Sequence, residues 1–331
     1  MTELSQRAAA RLTALDPLLP ESVELPSGPD PVAGDHGGGC GTVFVVGGSS
    51  GSSGSSGEGD AIAWCEHKFH EPESPSLTWS NARQFLLRPV LAGPEVTAPL
   101  DDLLRQWCVH LAGIAEADDE DSAAVVRWPS RDIEGVRALQ RHGLVPHSVT
   151  AARVTPEGRR EPDPPAPDGV SVRRAGPADV DLVAELSQEL VRYEAHFGNL
   201  HMRPWTERAL HQEAAELLAQ PEPWAWLADR DGKAVGLLSA TRPESATWIA
   251  PQVRLAPAAY LGEMFVRPAE RGSRVAALLT SQFHDAVSAA GVAVTLLHYG
   301  HVNPLSGPFW SRQGYRPLWT IWEARPARAL R

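Results

Sequence analysis

The sequence predicts an α/β fold in two similar copies, each a mostly antiparallel mixed sheet flanked by helices. Three observations lead there. A proline-rich break lies near mid-chain, a pattern recurs on both sides of it at constant offset, and apolar periods alternate between strand and helix spacing.

The break is 155–169, TPEGRREPDPPAPDG, with five prolines among charges and almost nothing apolar to bury. That is the composition of an exposed linker. It places one domain at 1–155, a linker at 156–168 and a second domain at 169–326. Late in the second half Asn303 is followed by Gly314 and Pro317; late in the first, Asp132 is followed by Gly143 and Pro146, each displaced by 171. Both runs follow an apolar stretch, 123–126 or 293–297, and read as strand, short helix, helix-ending glycine, strand. The pattern predicts a tandem duplication.

In the second half, 170–173 predicts a strand. A helix over about 178–197 follows, with Val180, Leu182, Val183, Leu186, Leu190 and Val191 on one face. Thr206 is placed to cap a second helix to about 219. A hairpin pairs 225–228 with 234–240 around Asp229-Arg-Asp-Gly232. A strand over 258–266 leads into a helix over about 272–290, closed by Gly291. The full order is β-α-α-β-β-β-α-β-α-β. The first half follows a looser version: a helix over 2–15, then a hairpin of 42–46 with 61–65 around the insertion GGSSGSSGSSGEG. A further helix over 100–114 has Leu100, Leu103, Leu104, Trp107, Leu111 and Ile114 at helical spacing.

Composition narrows the function. With 43% hydrophobic and 21% charged residues, 331 residues suffice for two ordinary domains. A net charge of −11 argues against a nucleic-acid or anionic-membrane binder and leaves room for a cationic small molecule. No run of about eighteen apolar residues exists, so no membrane span is expected. The opening MTELSQR lacks the basic-then-apolar order of a secretory signal, and a cytoplasmic location is the expectation. Cys40, Cys65 and Cys108 make an odd count without a CxxC spacing, so neither a disulfide framework nor a metal site is expected. Without a positioned histidine, Cys65 and Cys108 are poor nucleophiles.

The chemistry concentrates in 260–276, YLGEMFVRPAERGSRVA, where a strand ends in a proline turn and a helix begins with Gly, Ser and Arg. Free N–H groups at a helix start attract phosphate, and Arg267, Arg271 and Arg274 add positive charge in an acidic chain. A solvated loop before a well-capped helix would look the same in isolation. The wider context decides: strand, arginine-glycine loop, helix, apolar strand, then Asn303-x-x-Ser-x-x-Phe-Trp-x-x-x-Gly-Tyr. This resembles the GNAT superfamily of acyl-CoA-dependent N-acyltransferases, in a tandem arrangement with a degenerate N-terminal copy.

The resemblance covers 170 to about 323 and implies roles for named residues. The backbone of Met264, Phe265 and Val266 would pair with the pantetheine of acetyl-CoA, and an amide there would face the thioester oxygen. Arg271, Gly272, Ser273, Arg274, Val275 and Ala276 would hold the pyrophosphate. Asn303 would contact the cosubstrate, and Glu263, beside the expected thioester, would act as the base. Two positions depart from the pattern. Arg274 replaces the first motif glycine, which alters binding without removing the N–H. Trp310 replaces a tyrosine, and an indole cannot protonate a thiolate.

Tyr193, Glu194 and His196 fall where the family's first helices line the acceptor pocket, and His298, Tyr299 and His301 follow the other central strand. Each has a structural reading beside the functional one. Trp205, Trp224, Trp226 and Trp248 are candidates for a cleft lining, with core packing as the default. The first half has LDDLLR at 100–105, where the offset would put the arginine-glycine loop; carboxylates at a helix start repel pyrophosphate. It reads as a noncatalytic scaffold packed on the second half. The resemblance therefore implies an N-acetyltransferase taking a small-molecule amine. The alternatives are a noncatalytic acyl-CoA-binding regulator and a mycothiol-synthase-like acyltransferase on an aminosugar-linked thiol.

Overall fold

The computed structural model describes residues 2–23, 38–46, 61–156, 166–198 and 200–331. The Gly/Ser insertion at 47–59 and most of the proline-rich linker lie outside the described residues. In the first copy, α1 (Glu3–Leu15) starts at Thr2, whose hydroxyl accepts the Ser5 N–H at 3.3 Å. Then come β1 (Gly38–Val46), β2 (Ala61–Phe69), β3 (Arg83–Leu91), α2 (Thr97–Ile114), β4 (Ser122–Pro129), α3 (Val136–Arg141) and β5 (Val145–Val154). The second copy runs β6 (Val170–Arg174), α4 (Val180–Ala195), α5 (Thr206–Leu218), β7 (Trp224–Arg230), β8 (Lys233–Thr241), β9 (Ala258–Val266), α6 (Val275–Ala289), β10 (Val294–Gly300), α7 (Ser306–Arg312) and β11 (Arg316–Ala324). The repeat is visible in the end elements: α3 and α7 each stop at a left-handed glycine, Gly143 (φ 81°) or Gly314 (φ 84°), before the last strand. Among the described residues no helix is long and apolar enough to cross a membrane.

The compact units do not coincide with the two halves of the chain. The first contains 1–72, 81–149 and 317–331; the second contains 73–80 and 150–316. In the first, β1, β2 and β3 pair antiparallel, β3 and β4 pair parallel, and β11 pairs antiparallel with β4 from Trp319↔Pro129 to Ala324↔Ala124. The final strand of the second copy thus completes the first unit. Conversely the second half of β5 belongs to the second unit, and the N–H of Thr155 just beyond it bonds the Ala293 carbonyl at 2.9 Å. In the first unit, Leu100, Leu103, Leu104, Trp107 and Leu111 of α2 are buried against Phe85, Leu87 and Val126, while Ile114, expected on that stripe, is 43% exposed at the helix end.

In the second unit the order is β10-β9-β8-β7-β6, antiparallel except for β9 with β10. The β7–β8 turn has Asp231 (φ 50°) and Gly232 (φ 78°) both left-handed, the geometry of a tight primed hairpin turn. Thr206 does not cap α5; Trp205 occupies the cap position and the Thr206 hydroxyl accepts the Arg203 N–H at 2.9 Å. Helix α4 covers one sheet face through Val183 and Leu186 against Leu227, Leu237 and Phe265. Helix α6 covers the other through Leu279 and Phe283 against Trp224, Trp226 and Leu261. Both indoles meet Phe283 edge-on at 6.0 Å, so these two tryptophans are core, not cleft.

Candidate active site

One irregularity in β9 positions the Glu263 carboxylate. Ser239 pairs with Glu263, but the next residue, Ala240, pairs with Leu261, so Gly262 is an extra residue, a β-bulge. Before the bulge Ala259 and Leu261 face α6; after it Met264 and Val266 do. The inversion leaves Tyr260 and Glu263, three apart, on the α4 face. There Glu263 Oε2 accepts from Ser187 Oγ of α4 (2.9 Å) and Ser239 Oγ of β8 (3.1 Å). Its Oε1 is buried and has no partner among the described residues. Burial raises the Glu263 pKa, opposed by the two serine hydrogen bonds.

The same strand opens a cleft. Pairing of β9 with β10 ends at Leu261↔Leu297, although both strands continue, to Val266 and Gly300. The diverging ends leave the β10-facing backbone edge of 262–266 without a strand partner and bound a cavity of about 480 Å³. Met264, Phe265 and Val266 line it from β9, Arg271, Gly272, Arg274, Val275 and Ala276 from the start of α6, and Asn303 and Trp310 from the turn into α7 and from α7 itself. Nine of the ten residues expected at the cosubstrate therefore line one cavity, Ser273 being the exception. Ser273 instead turns its hydroxyl to the Glu270 carbonyl at 2.5 Å.

The first bond along α6 runs from Leu278 N–H to Arg274 C=O at 3.0 Å, so the N–H groups of 275–277 remain unspent at the cavity. Arg274 sits at the N-cap with φ 70°, which accounts for a glycine preference there and shows that the arginine pays for a left-handed backbone. The Arg271 guanidinium lies over the Tyr193 ring at 4.3 Å, and its Nε donates to the Val266 carbonyl at 3.3 Å. Two carboxylates also line the cavity, each already engaged: Glu270 with Arg230 at 2.8 Å and Glu194 with Asn303 Nδ2 at 2.5 Å. Asn303 Oδ1 meanwhile accepts the Leu305 N–H at 2.9 Å, fixing the entry to α7. Trp310, 5% exposed, packs edge-on against Phe309 and Tyr315.

On the Glu263 side of the sheet, three further groups assemble. Trp248 is 55% exposed and meets Tyr260 edge-on at 4.8 Å. The Tyr260 hydroxyl is 3.1 Å from His298 Nδ1, and His298 Nε2 is 2.8 Å from Thr150 Oγ1. Burial, then the field of Glu263, holds the Tyr260 phenol protonated well above its usual range. Glu213 of α5, which sequence reasoning missed, bonds the indole N–H of Trp79 at 3.2 and 3.3 Å. Burial first, then Glu263, pushes the Glu213 carboxyl up to about 7. Trp79 reaches it because 73–80 folds into the second unit, where the Arg203 guanidinium donates to the carbonyls of Leu77 and Ser80. Nothing in the sequence marks residues 134 apart as partners.

The remaining candidates take structural positions. His196 Nδ1 is 2.7 Å from the Arg192 carbonyl at the end of α4. Tyr299 packs beside Gly307, and His301 is exposed.

No family model matches the chain, and no curated protein does. Solved structures do match. A GCN5-related N-acetyltransferase from Sphaerobacter thermophilus aligns over 82% of this chain and 78% of its own, at 17% identity and a TM-score of 0.53. A GNAT-family acetyltransferase from Colwellia psychrerythraea aligns over 80% and 84%, at 12% identity and 0.49. A tandem GNAT protein from the clavulanic acid biosynthesis pathway aligns over 82% and 81%, at 15% identity and 0.46.

Proposed function

This chain has the GNAT fold, and we propose that it transfers an acetyl group from acetyl-CoA to the amine of a small molecule, with the chemistry in the second unit. The observation that carries this reading is the convergence of an unpaired strand edge, a helix N-terminus and two arginines on one cavity, next in sequence to a buried carboxylate. Pantetheine would add to the free edge of 264–266 as a strand does. The pyrophosphate would meet the N–H groups of 275–277 with Arg271 and Arg274 beside them.

Glu263 then has one oxygen held by two serines and one oxygen free to accept a proton. It deprotonates the ammonium directly or through a water; the amine nitrogen attacks the thioester carbon, the C–S bond breaks, and amide and CoA result. Its raised pKa brings its proton affinity nearer to that of the reacting amine. Trp310 has no proton to give the thiolate, and Tyr193 is the single phenol among the residues lining the cavity. The pair Glu213 and Glu263, with the Trp79 indole beside Glu213, favours a cationic acceptor with an apolar body. The first unit, without an arginine-glycine loop, serves as scaffold.

Calorimetry of acetyl-CoA on the intact protein tests the cosubstrate site. Micromolar binding, about −8 kcal/mol, that disappears in Arg271→Glu is the expected result. A panel of amines, read by free thiol release, tests turnover. Glu263→Gln should lower kcat by about 10²–10⁴-fold while leaving the acetyl-CoA Kd unchanged. Absence of binding in the wild-type protein would overturn the reading.

A further inference from the structure

The first unit holds a cluster that the acyl-transfer reading does not use. Along β2 the inward row Ala61, Ala63, Cys65 continues to His67, and across from it α2 presents His110 one turn beyond the buried Trp107. One potential ligand atom from each of Cys65, His67 and His110 lies within 4.8 Å of the other two. No local spacing marks this cluster, because the residues are 2 and 43 positions apart and only the packing of α2 on β2 joins them.

Several details distinguish this cluster from ordinary histidine packing. The Nε2 atoms of both His67 and His110 are buried, and neither has a hydrogen-bond partner among the described residues. A buried polar atom left unpaired is costly, and two such atoms in one cluster call for a shared partner. The other nitrogen of His110, Nδ1, lies 3.5 Å from Thr42 Oγ1, an outer contact of the kind that orients a ligating imidazole. The indole N–H of Trp107 points at Cys65 Sγ from 3.3 Å, which favours the thiolate that a metal needs. Phe44, Phe69 and Phe85 pack around the two imidazoles, giving the cluster an apolar wall.

We propose that Cys65, His67 and His110 form a zinc(II) site that ties β2 to α2 in the first unit. One sulfur and two imidazole nitrogens are a zinc donor set, and a water completes the tetrahedron. Zinc–sulfur and zinc–nitrogen bonds of ordinary length put tetrahedral ligand atoms about 3.3–3.6 Å apart. Small rotations of two half-buried rings close that gap from within 4.8 Å. Binding releases the thiol proton to water and leaves a net single positive charge, with the lone pairs of the two imidazole nitrogens donated to the metal.

The test uses the full chain, tag removed, reduced and stripped with a chelating resin. Zinc is added, excess is removed by desalting, and bound metal is measured by atomic emission; cobalt(II) is the optical reporter. One zinc per chain is expected, with a thiolate-to-cobalt charge-transfer band and a zinc-dependent rise in thermal midpoint. Cys65→Ser should abolish the band and weaken zinc by more than about 100-fold, and Cys108→Ser should change neither. Should Cys65→Ser fail to fold, His110→Gln, at a half-buried position, makes the same comparison with its fold checked by circular dichroism. Substoichiometric zinc in the wild type, or a cobalt band that survives Cys65→Ser or His110→Gln unchanged, overturns the site.

Discussion

Arg274 sets stability against affinity at a single residue. Its φ of 70° costs an L-residue about 1–2 kcal/mol, and glycine gives back about 0.5–1 kcal/mol of that in unfolded-chain entropy. The guanidinium has no hydrogen bond or ion pair among the described residues, so removing it loses no protein contact. Arg274→Gly should therefore be more stable than Arg274→Ala by roughly 0.5–1 kcal/mol, or about 1–4 °C in thermal midpoint for a body of this size. Both variants lose one exposed positive charge near the pyrophosphate, worth about 0.5–1 kcal/mol, and should bind acetyl-CoA about two- to fivefold more weakly. Differential scanning calorimetry and titration calorimetry on the three proteins separate the two effects. A glycine variant no more stable than the alanine variant would refute the backbone argument. Undiminished affinity in both would remove Arg274 from the phosphate end.

Glu213 predicts a pH signature. The unfolded carboxyl ionises near 4.5 and the folded one at about 7, so the fold retains a proton that the unfolded chain has lost, and stability falls as pH rises between those values. In Glu213→Gln that part of the slope should vanish: thermal midpoints should match wild type near pH 4.5 and exceed it at pH 8. The same variant should raise KM for a cationic amine more than it lowers kcat. Gly236→Ala probes the packing of β8 under α6, since a Cβ there would lie 3.0 Å from Leu279 Cδ1, 3.1 Å from the Phe265 carbonyl and 3.3 Å from Val275 Cγ1. A loss of about 1–3 kcal/mol in denaturant unfolding is expected, and a neutral result would mean that the helix gives way freely.

Much of the second copy was legible because its elements obey clean local rules. Apolar period 3.6 marks α4, the Asp-Gly turn marks the β7–β8 hairpin, and the β9 bounds follow from composition alone. The cavity wall was legible too, since its residues are close in sequence and belong to one strand–loop–helix passage. What escaped is non-local or breaks a period. The bulge at Gly262 inverts inside and outside along β9, and alternation alone would put Tyr260 and Glu263 on opposite faces. Glu213 with Trp79, and Cys65 with His110, meet only through tertiary packing. The ownership of the last strands was illegible for a different reason. Both copies end in the same strand–helix–glycine–strand pattern, so β5 and β11 are equally suited to either sheet, and only the observed pairing of β11 with β4 decides.

That pairing has a consequence for biosynthesis. The Ser130 and Thr320 hydroxyls, 2.9 Å apart in the finished first unit, are separated by 190 residues of chain. While the chain is being made, the first copy has its β4 edge uncovered until almost all of the second has left the ribosome, and an open edge of that kind invites pairing with other chains. A two-copy polypeptide joined in this way therefore cannot complete its first sheet copy by copy. A fragment stopping in the linker lacks the strand that seals its sheet, and one starting there carries that strand away from its place. Evolution can vary the loops of either copy independently, but it must inherit the two together.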